Sequence, residues 1–218
     1  GALADVDVVI NAGYAGSAWS GGENWKDEEV VTLLTKWVYE GGAFIGVNEP
    51  SAVEGYDQYF RMAHVLGIDK DTGARVCHGK WAFEAEDGEG ILPAGASVAS
   101  KEHLYLTDGR AKVLMAEGDK PLVSVNTFGK GKGIYLASFQ VNLENTRMLY
   151  QLIRYAGGEG IEGLYMTDNL YTECAYYPES RKLVIINNSD KEQTAVIPTE
   201  WGEKTVTIAP YDTTFAEL

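Results

Sequence analysis

Sulfur and imidazole are scarce in this chain. It carries two cysteines, Cys77 and Cys174, and three histidines among 218 residues. Two cysteines so far apart cannot build a disulfide framework, and no Cys/His spacing matches a metal site. Reduced structural thiols and no metal are therefore expected. Cationic side chains are also few, with 18 Lys and Arg against 32 Asp and Glu, a formal net charge of −14. Such a field repels nucleic-acid backbones and anionic membranes, and no local basic patch offsets it. No apolar run approaches the ~20 residues of a membrane-spanning helix, and no leader pattern opens the chain. A cytoplasmic setting without nucleic-acid or membrane partners is the expectation. What the chain does have is apolar material, 45% of residues, enough for a core in one large domain or one and a half ordinary ones.

The pattern centres on Gly41-Gly42-Ala43-Phe44-Ile45-Gly46-Val47-Asn48-Glu49-Pro50-Ser51. The paired glycines stop a helix, Ala43 to Val47 reads as a strand covered on both faces, and Asn48 to Ser51 as a sharp polar turn. In open α/β sheets ligands gather beyond the carboxyl ends of the strands, which is where this turn falls. Upstream, residues 6–12 (VDVVINA) read as another buried strand, followed by a glycine-rich loop over 14–25 with two tryptophans. Val30, Leu33, Leu34, Trp37 and Val38 follow helical spacing, with Asn24 or Asp27 as cap and Asp27, Glu28 and Glu29 at the positive end of the dipole. Tyr56, Tyr59, Phe60 and Ala63 mark a second helix ending near Gly67. Extended structure is expected over 74–86, a loop over 91–97, and strands over 104–107, 112–116, 122–125 and 134–138. A third helix runs from about Leu143 to Gly157-Gly158, burying Met148, Leu149, Leu152, Ile153 and Ala156.

From Gly163 the pattern changes to short strands alone: 164–167, 170–177, 182–187, 193–197, 204–208 and 213–218. Turn signals separate them, which suggests a small antiparallel sandwich. Two domains are expected, an α/β domain over 1–160 and an all-β domain over 161–218. The chain opens on a buried-type strand, which suggests a sheet lacking its first strand and a C-terminal piece of a longer protein.

The segments VDVVINAGYAGSAWSGGENWKDEEV, KWVYEGGAFIGVNEPSAVEGYDQYF and VLGIDKDTG resemble the central domain of the 1,3-β-galactosyl-N-acetylhexosamine phosphorylases, which include lacto-N-biose and galacto-N-biose phosphorylase and the related galactosyl-rhamnose phosphorylases. KLVIINNSDKEQTAVIP and TIAPYDTTFAEL resemble that family's terminal β domain. The resemblance implies a preceding barrel domain that holds the catalytic acid, a homodimer, and a glycosyltransferase reaction. There inorganic phosphate attacks a β-galactoside with inversion and releases α-galactose 1-phosphate, without any cofactor. An inverting reaction of this kind needs one carboxylic acid and no enzymic nucleophile. The first domain also resembles the flavodoxin-like, class I glutamine amidotransferase fold. There the turn after a strand displays a cysteine; here Asn48 stands at that place, and an amide cannot do that chemistry.

These considerations leave no catalytic residue within the chain. They nominate Glu23, Asn24, Trp25, Asn48 and Glu49 as substrate-binding residues on the rim of a galactoside site, with sugar stacking expected of an exposed tryptophan in the loop. Against them stand plainer readings. Glu49 with Glu54 also reads as a solvated acidic face, His64 as a packed helix residue, Cys77 beside His78 as a structural thiol, and His103 as a residue without ligand partners. Residues 129–133 (GKGKG) read as a hairpin turn because they lack the phosphate-loop pattern. Two rival functions are a free-standing amidotransferase-like enzyme, which needs a convergent pocket at Asn48 and Glu49, and a carbohydrate-binding or assembly module without chemistry.

Overall fold

The computed structural model describes residues 2–73, 80–86, 88, 91–158 and 163–218. The chain divides into two compact units, Gly1–Glu159 and Gly160–Leu218.

The first unit is built on a mixed five-stranded sheet. Its strands are β1 (Val8–Gly13), β2 (Ala43–Asn48), β5 (Lys112–Glu117), β6 (Lys120–Phe128) and β7 (Gly131–Leu136), in the order β1-β2-β7-β6-β5. β1, β2 and β7 run parallel, with Ile10 opposite Ile45 and Ile45 opposite Ile134. β6 and β5 then continue antiparallel. A small pair, β3 (Ile68–Lys70) and β4 (Leu104–Leu106), lies apart from this sheet. Ala43, Phe44 and Ile45 are fully buried, as a strand covered on both faces requires. β1, read as buried, instead forms an edge of the sheet, and Ile10 is 44% exposed.

Helix α1 (Glu28–Glu40) begins where the Asp27 carboxylate accepts from the Glu29 amide at 2.8 Å. Its inward stripe is Val31 and Val38, with Val30, Leu34 and Trp37 half-buried; Leu33, placed on that face by spacing, is exposed. Helix α3 (Leu143–Ala156) is capped by Asn142 and buries Met148, Leu152 and Ala156. The helices cover both faces of the sheet. Gly131 and Gly133 point the same way, toward Val38 at the end of α1 and Val65 in the short helix α2 (Ala63–Leu66), whereas Lys132 points oppositely and lies over the Tyr155 ring of α3.

Of the run 129–133 only Gly129 and Lys130 form the turn; the glycines that follow lie in β7 and serve packing. A Cβ on Gly131 would stand 2.1 Å from the Val38 and Gly42 carbonyl oxygens, and one on Gly133 would stand 2.1 Å from the Val65 oxygen. Helix backbone therefore rests directly on strand backbone.

The second helix is much shorter than its spacing suggested. Only Ala63–Leu66 (α2) is helical, ending at Gly67 with φ 72°. The segment before it is a loop because buried Asp69 takes its amides. The Asp69 carboxylate accepts from Tyr59 N at 3.1 Å and Phe60 N at 2.8 Å, and Val53 N donates to Tyr59 O. Of the extended stretch expected over 74–86, residues 74–79 lie outside the described residues. Over 80–86 only isolated bridges form, Trp81 with Leu106 and Ala85 with Val113. Cys77 and His78 also lie outside the described residues.

The second unit has two antiparallel sheets. One joins β8 (Thr172–Tyr177), β9 (Lys182–Asn187) and β12 (Thr213–Glu217); the other pairs β10 (Gln193–Thr199) with β11 (Gly202–Ile208). Leu183, Ile185, Ala195, Ile197, Ile208 and Ala216 form its core. The strand expected at 164–167 is absent. Tyr165 takes a left-handed φ of 64° and stacks on Tyr176 with centroids 4.0 Å apart, which bends the chain out of any ladder.

Candidate functional site

The carboxyl ends of β1 and β2 bring the 14–25 loop against the 48–51 turn. The β1–β2 ladder runs on past β2, with Glu49 N donating to Gly13 O at 3.0 Å. Behind it, buried Asn11 ties both segments together. Its amide nitrogen donates to Ser20 O at 3.0 Å, and its oxygen accepts from Ser51 N at 2.7 Å. Ser51 takes φ 51°, while its hydroxyl accepts from Met62 N at 3.0 Å. Asn48 takes φ 73°, a conformation asparagine tolerates better than most residues, and its carbonyl accepts the Tyr135 hydroxyl at 2.8 Å. The corner is thus fixed by side chains that do not themselves react.

Glu49 is the charged centre of this arrangement, 9% exposed. One carboxylate oxygen accepts from Ala15 N at 3.0 Å and the other meets Lys70 Nζ at 2.5 Å. Burial pushes its pKa up. The Lys70 bond, the Ala15 amide, and the charges of Lys70 and Lys101 outweigh that push, so the net direction is down and the group stays ionised. Tyr59 beside it is pushed up to about 12, chiefly by burial and then by the charges of Glu49, Glu54 and Asp69, so its hydroxyl remains a donor at neutral pH.

Two clefts open here. One, of about 560 Å³, is lined by Glu54, Tyr59, Lys70, Asp71, Thr72, Gly73 and His103. The other, of about 300 Å³, lies under the glycine-rich loop, with Ala15, Gly16, Gly22, Glu23 and Lys26 on one side and Ala52 and Val53 on the other. Glu54 and Tyr59 belong to both.

The five nominated residues fare differently. Asn48 and Glu49 stand at the corner as described. Glu23 is exposed on the smaller cleft and pairs with Lys26 at 2.5 Å. Asn24 is exposed in a short 3-10 helix, Gly22–Lys26. Trp25 is a correction to the expected sugar platform. It is 5% exposed, its indole N–H donates to Ser20 O, and its ring packs edge-on against Phe44 with centroids 6.1 Å apart. The exposed tryptophan of the loop is Trp19, at 86%. Lys70, Tyr59, Asn11 and Lys101 were missed, since nothing in the spacing of the chain relates them to the 48–51 turn. The one available hint was that Lys70 lies three residues after a helix stop at Gly67.

Other candidates are structural. His64 faces Thr35 Oγ1 at 2.9 Å and the Phe128 ring, and burial, assisted by the Arg61 charge, lowers its pKa. Glu49 and Glu54 form no matched acid–base pair, because Glu49 is ion-paired and buried while Glu54 is exposed. Among the described residues no group of three His, Cys, Asp or Glu side chains is placed to hold a metal ion, and no helix is long and apolar enough to cross a membrane.

Comparison with known proteins is direct. Residues 1–160 match the profile of the lacto-N-biose phosphorylase central domain, and residues 165–216 that of the C-terminal domain. A D-galactosyl-β-1→4-L-rhamnose phosphorylase of Lachnoclostridium phytofermentans is 49% identical over all 218 residues, which cover 30% of that protein. A 1,3-β-galactosyl-N-acetylhexosamine phosphorylase of the same organism is 35% identical over 202 residues, covering 89% of this chain and 27% of the relative. One from Bifidobacterium longum is 27% identical, covering 88% and 31%. The chain thus spans under a third of the length of these relatives. Among solved structures, a β-galactosidase from Bacillus circulans sp. alkalophilus matches with a TM-score of 0.55 at 16% identity, over 96% of this chain and 32% of that one. This likeness concerns fold alone.

Proposed function

Because the chain belongs to the lacto-N-biose phosphorylase family, through its central and C-terminal domains, we propose that it is the non-catalytic C-terminal portion of an inverting galactosyl phosphorylase. The whole enzyme would be a glycosyltransferase that cleaves a β-galactosyl disaccharide, with an N-acetylhexosamine or rhamnose acceptor, using inorganic phosphate and no cofactor. It would work in the cytoplasm, as a homodimer. The catalytic acid would lie in a barrel domain of the same polypeptide. The present chain buttresses that barrel and lends the 14–25 loop and the 48–51 turn to the rim of its site. In this reading the first unit is a flavodoxin-like, class I amidotransferase-like domain that no longer does amidotransferase chemistry.

The observation that carries this reading is the corner at Asn48. A reacting turn needs a nucleophile and a free base. Here an amide occupies the first place, and the adjacent carboxylate is held by Lys70 and the Ala15 amide. The test is phosphate-dependent release of galactose 1-phosphate from galactosyl-β-1,4-rhamnose and lacto-N-biose. The 218-residue chain should show no turnover, and turnover by it would overturn the proposal.

A further inference from the structure

The two clefts that share Glu54 and Tyr59 form one groove at the carboxyl edge of the parallel strands, and we propose that this groove binds a neutral saccharide. The inference rests on the reading of this edge as the rim of a galactoside site, and it deepens that reading by naming the residues that would hold the sugar.

The argument begins with charge. Lys70 lines the larger cleft, but its ammonium is engaged by Glu49. Lys26 on the smaller cleft is engaged by Glu23. Asp71 is matched by Lys80 at 2.6 Å. Glu54 adds a further negative charge to the lining, and the chain as a whole carries −14. A phosphate or nucleotide would enter against that field, with the charges of Lys26 and Lys70 already matched by carboxylates. A neutral ligand meets no such barrier.

Hydrogen-bonding capacity narrows the class. Carboxylates accept, ammonium groups retain further N–H donors, and the Tyr59 and Thr72 hydroxyls do both. This alternation of acceptors and donors matches the vicinal hydroxyls of a sugar ring, each of which also donates and accepts. The glycines at 16, 22 and 73 let the ligand approach backbone without side chains in the way. In the larger cleft an apolar ligand is poorly served, because Tyr59 is only 8% exposed and each of the other lining side chains carries a polar or charged group. The two volumes, about 560 and 300 Å³, are of the size that holds a small ligand.

The experiment is backbone NMR of the 218-residue chain titrated with galactosyl-β-1,4-rhamnose or lactose, and separately with inorganic phosphate. Shifts at Glu54, Tyr59, Lys70 and Thr72 with either saccharide, and none with phosphate, are expected. Glu54→Ala, confirmed folded by circular dichroism, should weaken the saccharide response about tenfold, the loss of a hydrogen bond to a charged group. No saccharide response into the tens of millimolar, a response outside the groove, or an equal response to phosphate would overturn the proposal. A second measurement separates it from the rim reading. In the whole enzyme, Glu54→Ala should raise KM with kcat nearly unchanged. If KM stays put while the chain still binds saccharide, the groove stands and the rim reading fails.

Discussion

Replacing Glu49 by alanine removes three things at once: an acceptor for the Ala15 amide, the partner of Lys70, and the charge that helps hold Lys101 protonated. A hydrogen bond to a charged group contributes about 1.5–3 kcal/mol, and a buried cation left without its partner costs about 3–5 kcal/mol. Lys70 has 23% of its side chain exposed and can turn partly to water, so the smaller end applies. Glu49→Ala should therefore lower unfolding stability by about 3 kcal/mol. Lys70→Met should cost less, and the double variant should reveal a coupling of about 1–2 kcal/mol in a urea-denaturation cycle. The pH dependence follows from sign. Lys70 and Ala15 hold the folded carboxyl below its ordinary value of 4.5 despite burial. The stabilisation is then complete above that value and drains away as pH falls through the lower folded one. The gap between wild type and Glu49→Ala should stay level from neutral pH down to about 5 and shrink below. Strict additivity of the two single changes, or a gap that widens in acid, would refute the account of this corner.

Further outcomes can be measured on the same chain. Gly133→Ala should destabilise the first unit by about 3 kcal/mol or more, since its Cβ meets the Val65 carbonyl at 2.1 Å; Gly157→Ala, with contacts no closer than 3.5 Å, should be neutral in the same thermal melt. Iodide should quench Trp19 and spare Trp25, read in Trp19→Phe and Trp25→Phe variants, because one ring is 86% and the other 5% exposed. Cys174, whose thiol burial pushes up to about 11, should react slowly with Ellman's reagent at pH 8 and accelerate steeply toward pH 10. Leu183→Ala should cost the second unit about 2–5 kcal/mol by opening a hole in its small core, visible as a lower denaturation midpoint.

Much of the frame was legible in the sequence because its signals are local. The α1 stripe apart from Leu33, the Asp27 cap, the glycine stops and the spans of β9 and β12 all arise within a few residues, and they appear where spacing puts them. The failures share one cause, a decisive partner far along the chain. Tyr56 to Phe60 carry helical spacing, yet Asp69 captures the Tyr59 and Phe60 amides from the other side of α2. Tyr165 looks like a strand residue until Tyr176 offers a stacking face. Trp25 reads as a platform on a polar loop, but Phe44 and the Ser20 carbonyl draw it inward. At the site, Asn48 and Glu49 were legible from the strand-then-turn pattern. Lys70 was not, because it joins Glu49 from 21 positions away.

The bare contact between β7 and α2 has a mechanical consequence for anything entering the groove. Val65 rests on Gly133 with no side chain between them to act as a cushion, and only Gly67 separates α2 from the strand that ends in Lys70. That wall cannot yield without dislodging the centre of the sheet. Whatever adjustment a guest requires must come from elsewhere along the lining, so this side of the groove should work as a fixed jaw.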